Sequence, residues 1–302
     1  MSCGRPARRR LERHRQHGST RSRQQDRQNG LGPDDQGERY REYAHSSRVY
    51  DKHGGCMSSD PLSNRLLLSL PPRNLKQLAP NLEFIRCQSQ QILLDVDASL
   101  DHVLFPNSGV ISVVAVYADG NVIEMATIGR EGCTGVQTFF GARRSSGRLL
   151  VQIPGSAAKM SRAAFDRAMK SMPSFRGLML AYVQAFLEQV MVSVACNGRH
   201  SLKERLARWL LMMRDRSDAD VMSITQDLLA ELLAVRRPSL THAVAELEEA
   251  GLILRGRGQI TILDRQGLIK VSCECYQLVR QRVASHLPQS FVDAGVIFPK
   301  RK

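Results

Sequence analysis

Residues 225–253, "TQDLLAELLAVRRPSLTHAVAELEEAGLI", hold two helix-period apolar stretches with a proline, Pro238, between them. Inside a helix, proline removes a backbone donor and clashes with the preceding turn. In the first helical turn, however, the N–H has no internal partner and the fixed φ is already helical. The run therefore reads as two short helices. Thr225 takes the N-cap of the first, whose stripe is Leu228, Leu229 and Leu232 and whose end falls near Ala234 and Val235. The second buries Leu240, Val244 and Leu247 and stops at Gly251, which tolerates the left-handed conformation of a helix end. Two short helices joined by a tight turn make a helix-turn-helix.

This layout leaves Arg236, Arg237, Ser239, Thr241 and His242 at the N-terminal end of the second helix, or on sides its apolar stripe does not use. Guanidinium and hydroxyl donors at an exposed helix N-terminus match base-edge acceptors in a DNA major groove, and the helix end itself favours phosphate. The next segment, "GLILRGRGQITILD" (251–264), reads as strand, Gly-rich basic turn and strand. It forms a wing whose Arg255 and Arg257 reach phosphate or the minor groove.

Charge agrees with an anionic partner: 43 Lys+Arg stand against 29 Asp+Glu, a formal net charge of +14. The 7 cysteines (Cys3, Cys56, Cys87, Cys133, Cys196, Cys273 and Cys275) are odd in number and mostly isolated. That is unlike a disulfide framework and points to a reducing, cytoplasmic setting. No unbroken apolar run of about 18 residues occurs, so no membrane partner is expected. Residues 1–56 carry 13 Lys/Arg and 7 Asp/Glu with almost no aliphatic side chains. They read as a disordered basic arm, or, with Met57 as the true initiator, as no part of the native protein.

Upstream of the helix pair, "NRLLLSLPPRNLKQLAPNLEFI" (64–85) has helical spacing broken at Pro71 and Pro72. From 90 to 161 short alternating runs are separated by turn signals, with Asp119-Gly120 marking the strongest hairpin, which is the pattern of an antiparallel β-roll or barrel. A long apolar helix follows at 174–198, with Leu178, Tyr182, Ala185 and Gln189 among its stripe and Phe175, Met179, Phe186 and Val194 widening it. So apolar a helix needs cover on more than one side, its own barrel and a second copy of itself. "LKERLARWLLMMRDR" (202–216), with the only tryptophan, leads into the helix pair.

The fold class read from these elements is α+β. An N-terminal β-roll with flanking helices (62–173) precedes a dimerisation helix (174–200), a winged helix-turn-helix (201–285) and a short tail (286–302). In this order, and through "RLARWLL", "ITQDLLAELLAVRRPSLTHAVAELEEAGLI" and "GQITILDRQGL", residues 62–285 resemble the Crp/Fnr family of bacterial transcription regulators. The resemblance implies a homodimer on a two-fold double-stranded DNA site, a sensory barrel of cyclic-nucleotide-binding type, RNA polymerase as a further partner, and no enzymatic activity. By position it places Arg237, Thr241 and His242 on the contacting face of the recognition helix, and Thr225 and Gln226 at phosphate-contacting positions. Pro238 departs from the acidic residue common there, so the half-site need not be that of the best-known members.

Nucleotide-binding members carry a Gly-Glu pair for the ribose and an Arg followed by small residues for the cyclic phosphate. With Gly135 as the glycine of that pair, Val136 stands where the carboxylate is needed, and an apolar group accepts no hydrogen bond. Arg143, Arg144 and Arg148 offer guanidiniums, but none precedes the family's Ser/Thr-Ala pair. Glu131, Gly132, Gly135, Arg144 and Arg148 are the candidate effector contacts, with no cofactor expected and a cyclic nucleotide disfavoured.

Other chemistries leave fewer traces. Cys56 and Cys87 stand alone where an iron–sulfur variant needs a cluster, and Cys273 and Cys275 have no second Cys or His pair at zinc spacing. No metal site is expected. His102 and Cys133 are the places for a haem ligand if the scaffold is a haem or redox sensor. No G-x-S-x-G, phosphate-loop or H-E-x-x-H motif occurs, and Asp95, Asp97 and Asp101 read as solvated loop charges. The residues also leave open a ligand-binding module that acts through protein, RNA or membrane contacts.

Overall fold

The computed structural model describes residues 62–217 and 219–287, together with a two-residue ladder, β1 (Val49–Tyr50) against β2 (Cys56–Met57). Apart from Met57, that ladder falls within the segment expected to be disordered. The rest of the expectation for 1–56 lies outside the described residues, as does most of the C-terminal tail.

Asn64 caps the first helix, α1 (Arg65–Leu68), by accepting the Leu67 N–H at 3.0 Å. Pro72 then opens α2 (Pro72–Leu78), the break that Pro71-Pro72 announces. The expected helical run does not reach "LEFI", because a 3-10 turn at Ala79–Asn81 ends it and Leu82–Cys87 becomes strand β3.

The roll consists of two antiparallel sheets. One orders β3, β9 (Gly155–Ser161) and β5 (His102–Pro106); the other orders β4 (Ile92–Leu94), β8 (Arg148–Ile153), β6 (Val110–Val116) and β7 (Val122–Ile128). Strands β6 and β7 pair from Ile111↔Ile128 to Val116↔Val122, closing over the turn at Asp119-Gly120. Gly120 there has φ +84°, a value an L side chain rarely adopts. Ile111, Ile128, Leu104 and Val151 fill the space between the sheets.

Ser161 caps α3 (Arg162–Ser171), a helix not anticipated from the sequence, and Pro173 starts the 27-residue helix α4 (Pro173–Arg199). By length and composition α4 is also apolar enough to cross a membrane, although no unbroken apolar run occurs in it. Its two apolar faces account for that composition. One face, with Phe175, Met179, Tyr182, Val183, Ala185, Gln189, Val192 and Cys196, is buried within the protomer. This covers most of the stripe read from the sequence, but Val194 lies on the other side.

Helix α5 (Leu202–Ser217) follows, and its buried Trp209 donates through Nε1 to Glu124 of β7 at 2.9 Å. The C-terminal domain comprises β10 (Val221–Ser223), α6 (Gln226–Leu232), α7 (Arg237–Glu249), β11 (Ile253–Gly256), β12 (Gln259–Ile262), α8 (Arg265–Val271) and α9 (Cys275–His286). Strands β10, β12 and β11 form one antiparallel sheet in that order. Helix α9 turns back along α4, where His286 meets Glu188 at 3.0 Å.

Candidate nucleic-acid interface

Thr225 caps α6 by accepting the Leu228 N–H at 3.3 Å, and the helix closes at Leu233. The turn runs through Ala234 at φ +55°, left-handed backbone held by Ala234 N–H to Glu231 O and Val235 N–H to Ala230 O, both 2.9 Å. Arg236 is the N-cap of α7, so Pro238 falls in the first turn, where its missing N–H costs nothing. Leu240, Val244 and Leu247 are buried with Ala243, and Gly251 follows the helix in the left-handed region at φ +69°.

The expected contact residues fall where the sequence puts them. Arg236, Arg237, Ser239 and His242 are exposed at the start of α7, and Thr241 is half-buried. The Thr241 hydroxyl lies 3.0 Å from Gln226 Oε1 and 3.1 Å from the Arg237 carbonyl. One hydroxyl has one proton, so both contacts are satisfied together when the Gln226 amide presents its NH₂ to Thr241. That link locks the start of α6 onto α7. Arg255 and Arg257 stand on the wing, whose two-residue tip, Arg257-Gly258, sets Gly258 at φ +69°.

Sequence reasoning missed the acidic partners. Arg237 pairs with Asp227 at 3.0 Å, His242 with Glu246 at 3.0 Å, and Arg255 with Glu248 at 3.2 Å. Lys203 shares Glu246 at 2.9 Å. The Lys203 ammonium holds the Glu246 carboxyl below its ordinary value. Exposed pairs of this kind contribute little to stability and are readily exchanged for another anion. Among the described residues Arg236 and Arg257 have no such partner, so they are the cations most available to a phosphate.

The candidate effector contacts are not brought together. Glu131 is buried against Arg216 at 2.8 Å and accepts the Gly129 N–H. Gly132 sits against the Tyr182 ring, and Gly135 (φ +71°) heads the 3-10 turn whose first residue, Val136, is buried. Arg144 donates to the Asp97 carbonyl at 2.6 Å, and Arg148 grips Asp95 through Nε and an NH₂ group. That makes Asp95 an ion-pair partner rather than a free loop charge. The small cavity lined by Glu131, Tyr182 and Gln189 includes neither arginine. His102 is exposed, whereas Cys133 is wholly buried and burial pushes its thiol well up.

Two further features give what the sequence reading lacked: the residues of the outer face of α4, and a cluster of thiols. Along α4 the exposed positions Gly177, Leu180, Gln184, Leu187, Met191, Val194 and Gly198 alternate in steps of three and four. Leu180, Leu187, Met191 and Val194 are 54%, 48%, 57% and 69% exposed. This is a heptad seam, findable in the sequence by testing a period of 3.5 on the face opposite the buried one. The second concerns Cys273 and Cys275. Cys273 lies in the connection before α9 and Cys275 on its first residue, and in space the two meet Cys196 and His200, partners that no sequence spacing supplied.

Comparison with known proteins agrees with this geometry. Residues 204–271 match the Crp-like helix-turn-helix domain. FixK2 from Bradyrhizobium japonicum shares the fold at 17% identity and TM-score 0.55, covering 64% of this chain and 98% of its own. A putative Crp/Fnr-family regulator from Eubacterium rectale does so at 18% and 0.55, covering 68% and 96%. TTHB099, a CRP-family regulator from Thermus thermophilus, does so at 16% and 0.54, covering 62% and 96%. No curated protein matches the chain.

Proposed function

Because this chain sets a Crp-like helix-turn-helix domain on the Crp/Fnr fold, we propose that it is a cytoplasmic transcription regulator that binds a pseudo-palindromic operator as a homodimer. The observation that carries the reading is the exposed N-terminal end of α7. Arg236, Arg237, Ser239 and His242 project there from a helix whose opposite face is fully buried in its own domain. A major groove admits such a helix end, and Arg offers a bidentate match to guanine. The wing arginines add phosphate contacts that position the domain without reading sequence.

The heptad seam on α4 supports the homodimer. Four exposed apolar side chains at coiled-coil spacing are buried when a second α4 lies alongside, and the symmetry of that pair is passed to the two recognition helices. The barrel senses a small effector other than a cyclic nucleotide, or braces the dimer. What supports this is the apolar Val136, buried at the position that the family resemblance gives to the ribose-binding carboxylate.

Selection of bound duplexes from genomic fragments by the full chain, with and without candidate effectors including cyclic AMP, tests this function. An enriched site with two-fold symmetry and half-sites about one helical turn apart supports it. Fragments sharing no sequence would sink it, and a strong cyclic AMP response would overturn the reading of Val136.

A further inference from the structure

The end of the long helix α4 and the connection between α8 and α9 bring four soft donor atoms to one point. Cys196 lies in the last turn of α4, and His200 follows four residues later as its C-cap. Cys273 and Cys275 arrive from the other side because α9 packs back along α4. Cys196 Sγ is 3.5 Å from Cys273 Sγ, and Cys275 Sγ is 3.6 Å from His200 Nδ1. All four ligand atoms lie within 4.8 Å of one another. A tetrahedral ion with bonds of about 2.3 Å to sulfur and 2.0 Å to nitrogen needs neighbouring ligand atoms roughly 3.5–3.8 Å apart. These two contacts already have that spacing.

The imidazole is set for the task. His200 Nε2 lies 3.1 Å from Glu274 Oε2. With Nε2–H donating to that carboxylate, the lone pair of Nδ1 faces the sulfurs, the outer-shell arrangement that orients metal-bound histidines. Three thiolates around a divalent cation leave one net negative charge, and the cationic Arg205 and Arg208 lie close enough to Cys196 to offset it. Three of the four residues are buried, and the His200 side chain is only 11% exposed. Ordinary core cysteines have apolar neighbours, as Cys87 does. Here three of the protein's cysteines gather on one histidine.

We propose that Cys196, His200, Cys273 and Cys275 form a tetrahedral zinc site. On binding, the three cysteines give up their thiol protons to solvent and the neutral imidazole coordinates through Nδ1. With four protein ligands no position is open to substrate, so the site is structural. It bolts the end of α4 to the connection ahead of α9, across the Ser201 junction into α5. The inference stands on these contacts and is independent of the operator reading.

The full chain, purified reduced and stripped with a chelator, is titrated with zinc and, separately, with cobalt as a spectroscopic stand-in. One tightly held equivalent per chain is expected, with the visible bands of tetrahedral cobalt and thiolate charge-transfer absorption. Cys273→Ser and His200→Ala should each abolish that spectrum. Glu274→Gln should keep it while weakening affinity about 10–100-fold. Circular dichroism checks that each variant folds, and if Cys273→Ser does not, the His200 and Glu274 variants decide. No stoichiometric binding by the folded chain, a six-coordinate spectrum, or bands untouched by these substitutions would overturn the proposal. So would a Cys196–Cys273 disulfide that forms in air while the reduced chain ignores metal.

Discussion

Arg216 Nε of α5 lies 2.8 Å from Glu131 Oε1 in the barrel, and both side chains are buried. Arg216 also donates to the Met212 carbonyl at 3.1 Å and to Gln189 Oε1 of α4 at 2.5 Å. One guanidinium thus joins the barrel, the long helix and the helix leading to the DNA-binding domain. Removing one partner of a buried pair strands the other charge, so Glu131→Ala should cost about 3–5 kcal/mol in urea unfolding. The double variant Glu131→Gln/Arg216→Met should recover much of that loss. If Glu131→Ala unfolds at the urea concentration of the parent chain, the pair is not bracing the domains.

Arg237 faces a choice between Asp227, 3.0 Å away, and DNA. Arg237→Ala should weaken specific binding by roughly 1–3 kcal/mol and relax one base position. Asp227→Asn, which frees the guanidinium, should leave specific binding as strong or stronger. Should Arg237→Ala weaken all sequences equally, the side chain contacts phosphate instead of a base.

Leu187 and Val194 sit in the exposed seam of α4. A carboxylate at either place desolvates in a paired seam but not on a free surface. Leu187→Asp should therefore convert the protein to monomers in sedimentation equilibrium and abolish operator binding at concentrations that saturate the parent chain. A dimer that survives the substitution would place the interface elsewhere.

Glu124 accepts from Ser112 Oγ at 2.6 Å and from Trp209 Nε1 at 2.9 Å, and burial pushes its pKa up to about 7. The native state then holds this proton more tightly than the unfolded chain. Its contribution is fully present below the ordinary value of 4.5 and is lost as pH climbs through about 7. Glu124→Gln mimics the protonated form, with its carbonyl accepting from Trp209 and its NH₂ donating to Ser112. It should be more stable than the parent by about 3 kcal/mol at pH 8 and no more stable near pH 4.5. Equal stability of the two proteins across that range would contradict the shift.

What was legible in the sequence was local. The proline at 238, the Thr225 cap and Gly251 act within a few residues of the backbone they shape, so the helix pair, its turn and its exposed end follow from spacing alone. The Asp119-Gly120 hairpin is of the same kind. Long-range convergence was not legible. Glu131 sits 85 residues from Arg216, and only the packing of α5 on the barrel turns a candidate ligand contact into a brace. Cys196 and Cys273 are 77 residues apart, and only the return of α9 along α4 unites them. The seam on α4 was hidden differently. The helix is apolar on both faces, and the face buried within the protomer supplied the stronger pattern.

The central claim is sequence-specific recognition of DNA, and equilibrium binding of the full chain to its selected duplex and to a shuffled duplex of equal length, across a salt series, tests it most directly. The account predicts one dimer per selected duplex, at least about 10³-fold tighter than the shuffled one, with both affinities falling steeply as salt rises. Equal affinity for the two duplexes would contradict it, because only charge would then be holding the DNA.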